Sequence, residues 1–523
     1  MEKIKRILIV GGGSSGWMTA ASLCKNIPDI DITVIHSPNI PTIGVGESTI
    51  LHINRFLNNL ELVDEDWMQA CNATYKTSID FTNFCGDGKR VSYPFGEASY
   101  LNKYEPFDWF LKQSILGADN EEYVDFAMGS SELIKQNKLT KDDPNIIGWD
   151  FNNHTAYHMD AELFGRYLKA QYCIPQGVKC VLDDVVEIKQ NEDGSIQSIT
   201  TNEHGDLSAD LFVDCTGFKS LLLDKTLKEP FNSFKDKLIN DKAVATRLKY
   251  KDIDVEMEHR TNATTMNSGW VWNIPLWNRI GTGYVYSSQF LTEQEAEKEF
   301  GDFLINDRDI TRSQDEVEQC EMMHVNIRPG IHSRSWVKNV CAIGLSNGFI
   351  EPLESTGLML TNVAIFELVK TLQSRSGRVN RYDKDIFNSA VRRGMSNFSG
   401  FIAGHYALAE RDDTPYWKYV TEEIQYMNDD SPEWKWLTTY LPSTSNSRSS
   451  FWNNLPDTDG APYIMSGFGY NPVDITLEPT GVYNDMEKLQ MEITSHKKAK
   501  KDYIKNLPSH YQFLKDTIYQ GME

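Results

Sequence analysis

The stretch RILIVGGGSSGW, residues 6–17, constrains the fold of this chain more than any other. Its apolar run, Arg6 to Val10, reads as a strand buried on both faces, and a helix-like segment follows directly after the glycines. DITVIHS (31–37) supplies a second strand, so the opening residues form a β-α-β unit of a parallel sheet. The turn is Gly11-x-Gly13-x-x-Gly16, with Ser14 and Ser15 between its last two glycines. Such glycines allow a tight bend and bring backbone amides close to a pyrophosphate at the positive end of the helix. Placed between a strand and a helix, the motif points to a dinucleotide. The acidic residue expected about twenty positions on, which holds the ribose hydroxyls, is missing. His36 stands in its place and offers an imidazole to the adenosine.

A chain of 523 residues exceeds what one core holds, so two modules are expected. Further strand candidates are GVKCVLDDVVEI (177–188), read as one buried strand, ADLFVDCTG (209–217) and NVCAIGLS (339–346). Their spacing suggests a discontinuous α/β module of about residues 1–84 and 151–395. A second module of about residues 85–150 and 396–523 is richer in aromatics, Asp and Asn. LPSTSNSRSS (441–450) reads as a polar loop. A net charge of -22 argues against a nucleic-acid or anionic-membrane partner. No apolar run reaches the length of a membrane span. The 8 cysteines form no C-x-x-C pair or Cys/His cluster, so no metal site is expected and free thiols of a reducing compartment are. MEKIKRILIVGGG lacks a cleavage site, which places the protein in the cytoplasm.

Three other segments carry candidate chemistry. In GWVWNIP (269–275), Trp270 and Trp272 fall on one face of a strand that Pro275 is expected to end. A core strand and a specialised wall are both open readings of it. In IEPLESTGLMLTNVAIFELVKTL (350–372), Ser355, Thr356 and Gly357 precede a helix-like run, where unpaired amides favour a small anion. Ordinary helix capping is the alternative. Glu354 beside them is costly next to an anion unless it has a role. Lys76, in CNATYKTSIDF, is either an exposed strand residue or a desolvated amine.

FVDCTG (212–217) resembles the strand-to-glycine signature of glutathione-reductase-like flavoproteins, which selects FAD over NAD. In CAIGLSNGFIEP (341–352), Leu345 follows Gly344 where flavin hydroxylases usually carry Asp. GGGSSGW, IPTIGVGEST (40–49), ATYK (73–76), MNSGWVWNIP (266–275), GLSNGFIEPLESTG (344–357) and ERDDTPYW (410–417) together resemble the flavin-dependent halogenases of the tryptophan-halogenase type, over most of the chain. The resemblance implies an α/β fold with a doubly wound, glutathione-reductase-like FAD-binding module and a second, largely helical substrate module. It implies FAD, used as FADH2, and a halide ion (chloride, bromide or iodide) oxidised to hypohalous acid. By it, Thr356 and Gly357 bind halide, Lys76 relays the oxidant and Glu354 is a catalytic carboxylate. Ser48, Val185, Leu345 and Leu358 match FAD contacts, and the tryptophan wall separates substrate from flavin.

Phe95 matches a ring-stacking residue, while Tyr93 stands where tryptophan-specific members have His. Those members follow a Phe-Trp pair with Asn-Tyr-Tyr-Cys, whose tyrosines grip the amino-acid end of the substrate. Here Phe451-Trp452 is followed by NNLPDTDGAPYIMSGFGY, with Pro462-Tyr463 in the place of the pair. The departure implies a small aromatic substrate other than free tryptophan. One G-x-G-x-x-G and no nicotinamide module imply a separate flavin reductase as partner; homo-oligomerisation stays open. An FAD-dependent aromatic hydroxylase is the alternative enzyme, and a flavin-binding protein without turnover the alternative from another class.

Overall fold

The computed structural model describes residues 3–39, 44–96, 109–110, 113–114, 122–146, 148–424, 460–471, 491 and 500–522. The loop 441–450, the pair Phe451-Trp452 and residues 40–43 lie outside the described residues. The chain divides into two compact units, Met1–Ala73 with Tyr157–Ala245 and Met323–Ser399, and Thr74–Ala156 with Thr246–Met322 and Gly400–Glu523. Sequence spacing assigns residues 246–322 to the first module. They fall in the second because the strands 260–266 and 269–276 pair with each other and with Ser78–Thr82.

The first unit is built on a six-stranded sheet in the order Trp336–Val337, Val340–Ala342, Leu211–Asp214, β1 (Arg6–Val10), β2 (Asp31–His36), Lys179–Leu182. All neighbours are parallel except the edge pair 336–337 with 340–342. Leu8, Val10, Ile35, Phe212 and Val340 point into one apolar cluster, as expected for strands covered on both faces. Between β1 and β2 runs the helix α1 (Ser14–Asn26), which buries Trp17, Met18, Ala20, Ala21 and Leu23. The helix Gly357–Ser374 packs alongside α1. These elements give the α/β, doubly wound architecture that the opening motif implies.

The stretch 177–188 is not one buried strand. It is two, Lys179–Leu182 in the large sheet and Val185–Gln190 in a separate three-stranded antiparallel sheet, and neither is fully buried. The break is at Asp183, whose carboxylate accepts hydrogen bonds from the backbone N–H groups of Asp184, Glu203 and His204. An acceptor that gathers three amides turns the chain where a hydrophobic tally sees continuity.

The second unit holds five consecutive strands of a seven-stranded sheet, in the order Arg279–Tyr286, Gly269–Leu276, Arg260–Met266, Ser78–Thr82, Arg90–Pro94, and among these only 78–82 and 260–264 pair in parallel. Pro275 does not end its strand, which continues to Leu276 and pairs Pro275 with Ile280. On its other side the pairing with 260–266 stops at Asn273. The missing proline N–H therefore costs no ladder bond there. All eight cysteines are free. Among the described residues no helix is long and apolar enough to cross a membrane, and no cluster of His, Cys, Asp and Glu could hold a metal.

Candidate active site

In the first unit the glycine turn is shaped by close approach. Gly11 has φ +117°, and a Cβ there would strike the backbone carbonyl of Cys215; one on Gly16 would strike that of Gly11. The Cys215 wall is fixed by Asp214, which is fully buried and accepts from Thr216 N (3.1 Å), Thr216 Oγ1 (2.6 Å), Leu222 N (2.7 Å) and Leu223 N (2.9 Å). Burial pushes this carboxyl group's pKa up, with the hydrogen bonds pulling against it. The FVDCTG signature is thus a carboxylate-organised turn backing the glycine turn. Gly13, the N-cap of α1, has open space around its Cα and no side chain capping the helix. Free amides beside open space fit the pyrophosphate of FAD. Ser14 and Ser15 open α1. Leu345 is 41% exposed in the turn Gly344–Ser346, Leu358 is buried in the first turn of 357–374, and Val185 packs on the sheet's apolar cluster.

At the start of the helix 357–374, Thr356 is the N-cap without making a capping bond, and its buried hydroxyl has no hydrogen-bond partner among the described residues. Ordinary capping therefore does not explain Thr356. Ser355 before it is left-handed (φ 56°), a costly state for a residue with a Cβ. It is held by a 2.9 Å hydrogen bond between its hydroxyl and that of Ser48, both buried. Glu354 is buried in the 3-10 turn Pro352–Glu354 that delivers the chain to this bend. Ser48, Ser355, Thr356 and Gly357 are thus one cluster, with Glu47 against Gly357.

In the second unit, Lys76 ends the strand Thr74–Lys76 and is 0% exposed, which excludes the exposed strand lysine. Its Nζ lies 4.9 Å from the centre of the Phe95 ring. Tyr93 packs edge-on to Phe95 at 6.4 Å and is stacked on Tyr463 at 5.5 Å with an interplanar angle of 28°. Tyr463 in turn meets Tyr123 edge-on at 4.8 Å. Trp270 is buried and Trp272 half-buried, with ring centroids 6.3 Å apart. Gly283 lies opposite Trp272 on the next strand. The lysine strand is tied to the tryptophan strand by Thr74 Oγ1, which donates to Pro275 O at 2.6 Å.

With this geometry in view, the profile of the tryptophan halogenase family matches residues 6–454. The chain belongs to the tryptophan halogenase family. A 7-chloro-L-tryptophan 6-halogenase, KtzR, of Kutzneria sp. (strain 744) is 35% identical over 97% of this chain and 98% of its own length. The tryptophan 7-halogenase RebH of Lentzea aerocolonigenes is 32% identical over 98% of each chain. Among solved structures, VirX1 in its apo form superposes with a TM-score of 0.89 at 39% identity, covering 99% of this chain and 100% of that one. The tryptophan 6-halogenase SttH of Streptomyces toxytricini gives 0.82 at 33% identity, covering 98% and 99%. This halogenase is accordingly a flavin-dependent enzyme of aromatic halogenation, a family chemistry that uses FADH2 and halide and draws FADH2 from a separate reductase.

The sequence singled out most of these residues but missed three of their neighbours. Glu47 lies in the quoted GVGEST loop, yet its contact with Gly357 is set by chain reversal rather than by spacing. Tyr463 stands out in the sequence for what it replaces, whereas its stacking on Tyr93 joins residues far apart in the chain. Lys169, whose Nζ lies 3.3 Å from His36 Nε2, stands 133 positions from it, and no local pattern joins them.

Proposed function

We propose that this halogenase transfers an electrophilic halogen from hypohalous acid to electron-rich aromatic rings such as phenols, indoles and anilines, with Lys76 as the group that delivers it. The observation that carries the reading is the buried Lys76 side-chain nitrogen against Phe95, in a chain of this family. A lysine buried on a strand gives up its hydration, which its surroundings must offset, and the strand itself does not need one. FADH2 and oxygen supply the oxidising power that converts halide into hypohalous acid. The backbone amides at Thr356 and Gly357 hold the halide by their partial positive charge. Trp270 and Trp272 keep the aromatic ring away from the flavin. Lys76 holds the oxidant by hydrogen bonding or as a haloamine, which replaces diffusion of an indiscriminate reagent by one fixed position. Phe95, Tyr93 and Tyr463 offer faces and edges for the ring. Glu354 serves as base toward the cationic ring or orients the oxidant.

Replacing Lys76 tests the reading. With an added flavin reductase, halide and an electron-rich arene, Lys76→Ala is expected to lose ring-halogenated product while a soluble scavenger still traps halide-dependent oxidant. Regioselective product from this variant would overturn the proposal.

A further inference from the structure

The residue that closes β2 is His36, where a dinucleotide unit usually has an acid for the adenosine ribose. Its ring lies over the glycine turn: a Cβ on Gly12 would meet His36 Cβ and Cγ at 2.5 Å. Lys169, from the π-helical segment Leu168–Cys173, places Nζ 3.3 Å from His36 Nε2. Both groups gather on Trp17 of α1, with the imidazole edge-on at 6.2 Å and the ammonium 5.6 Å from the ring centre. Burial first, and the Lys169 charge second, hold the imidazole below the ordinary histidine range. An imidazole held neutral accepts one N–H of the Lys169 ammonium and supplies no counter-charge, and the half-buried side chain keeps its other donors open to solvent.

Asp183 and Asp184, which follow the strand beside β2, are engaged elsewhere. The backbone N–H of Asp183 donates to His36 O, but the Asp183 carboxylate faces the His204 side chain and the amides of 203 and 204. Asp184 accepts from Asn39 Nδ2 at 2.7 Å. Among the described residues no carboxylate pairs with Lys169. The edge of the sheet that normally presents a negative charge to a ribose diol here presents a positive one.

We propose that His36 and Lys169 form a cationic ribose subsite, which binds adenosine nucleotides carrying a 2′-phosphate in preference to those with a bare diol, in competition with FAD. The inference rests on the family's use of FAD and extends it: the same turn admits a second class of ligand. A 2′-phosphate gives the ammonium a doubly charged acceptor, whereas a diol hydroxyl gives it a neutral one.

Binding of adenosine 2′,5′-bisphosphate and of adenosine 5′-monophosphate to the flavin-free full chain, measured by calorimetry, decides it. The bisphosphate is expected to bind about tenfold more tightly, an advantage limited by the partial exposure of the pair, and to displace FAD. Lys169→Ala should bring the ratio near one. His36→Glu, which supplies the missing acid, should do the same. Equal affinities in the parent chain, or a ratio that survives Lys169→Ala, would overturn the subsite. If FAD itself did not bind, the dinucleotide reading and the subsite would fall together; FAD binding with equal nucleotide affinities removes the subsite alone.

Discussion

Gly357 follows a bend that the chain enters only at a cost. Ser355 is left-handed, the Thr356 hydroxyl has no partner among the described residues, and Glu47 Oε1 lies 2.9 Å from where a Gly357 Cβ would sit. Gly357→Ala therefore pushes a carboxylate whose displacement is cheap for the fold but close to the amides proposed for halide. A rise in halide KM of about tenfold, near 1.4 kcal/mol, is expected from a halide titration at saturating arene; an unchanged KM would remove Gly357 from the halide site. Tyr463 makes a second residue-scale point. Ring faces tolerate many arenes, while a buried polar clamp rejects those that leave it unpaired. Simple phenols, indoles and anilines should be halogenated at least as well as free tryptophan. A preference for tryptophan of roughly a hundredfold in kcat/KM, about 2.7 kcal/mol, would show that another segment provides the clamp. The identity of Lys76 as a candidate was legible in ATYK, but its burial was not, because the Phe95 ring beside it follows a different strand, Arg90–Pro94.

The strand element that carries Lys76 is braced from behind by two histidines. Thr77 N donates to His259 O at 2.7 Å, Thr77 Oγ1 bonds His259 Nδ1 at 2.6 Å, and His259 meets His510 edge-on at 5.5 Å. Both are buried, and desolvation lowers the His259 pKa to about 3 and that of His510 well below its usual value. In the unfolded chain each takes a proton near pH 6.5. The unfolded state thus binds more protons between about 3 and 6.5, so stability is complete above that window and falls as pH drops through it. The slope reaches about 1.4 kcal/mol per pH unit for each histidine. The unfolding temperature should fall steadily from pH 6.5 to 5, and less steeply in His259→Gln; parallel curves for the two proteins would refute the assignment. Elements whose signal is local were legible in the sequence: β1, the glycine turn, α1 and the tryptophan strand all rest on neighbouring residues. The break at Asp183 and the passage through Pro275 were not, since each depends on which partner strand is present and where its pairing stops.

For the whole molecule, a single dinucleotide motif in the sequence leads us to expect that another protein supplies the reduced flavin. Purified enzyme given NADH, FAD, halide and arene should make product only when a flavin reductase is added, and rapid NADH oxidation by the chain alone would contradict this. The division into two units was only partly legible, because both are assembled from distant stretches and composition reports neighbours in sequence, not in space. The Thr74–Pro275 hydrogen bond has an evolutionary consequence. The tryptophan strand and the lysine strand share a mount, so a substitution that reshapes the wall also moves the amine. Libraries that vary positions 270 and 272 for new substrates should show epistasis with position 74, and gains in scope will be inherited together with changes in regioselectivity rather than chosen one at a time.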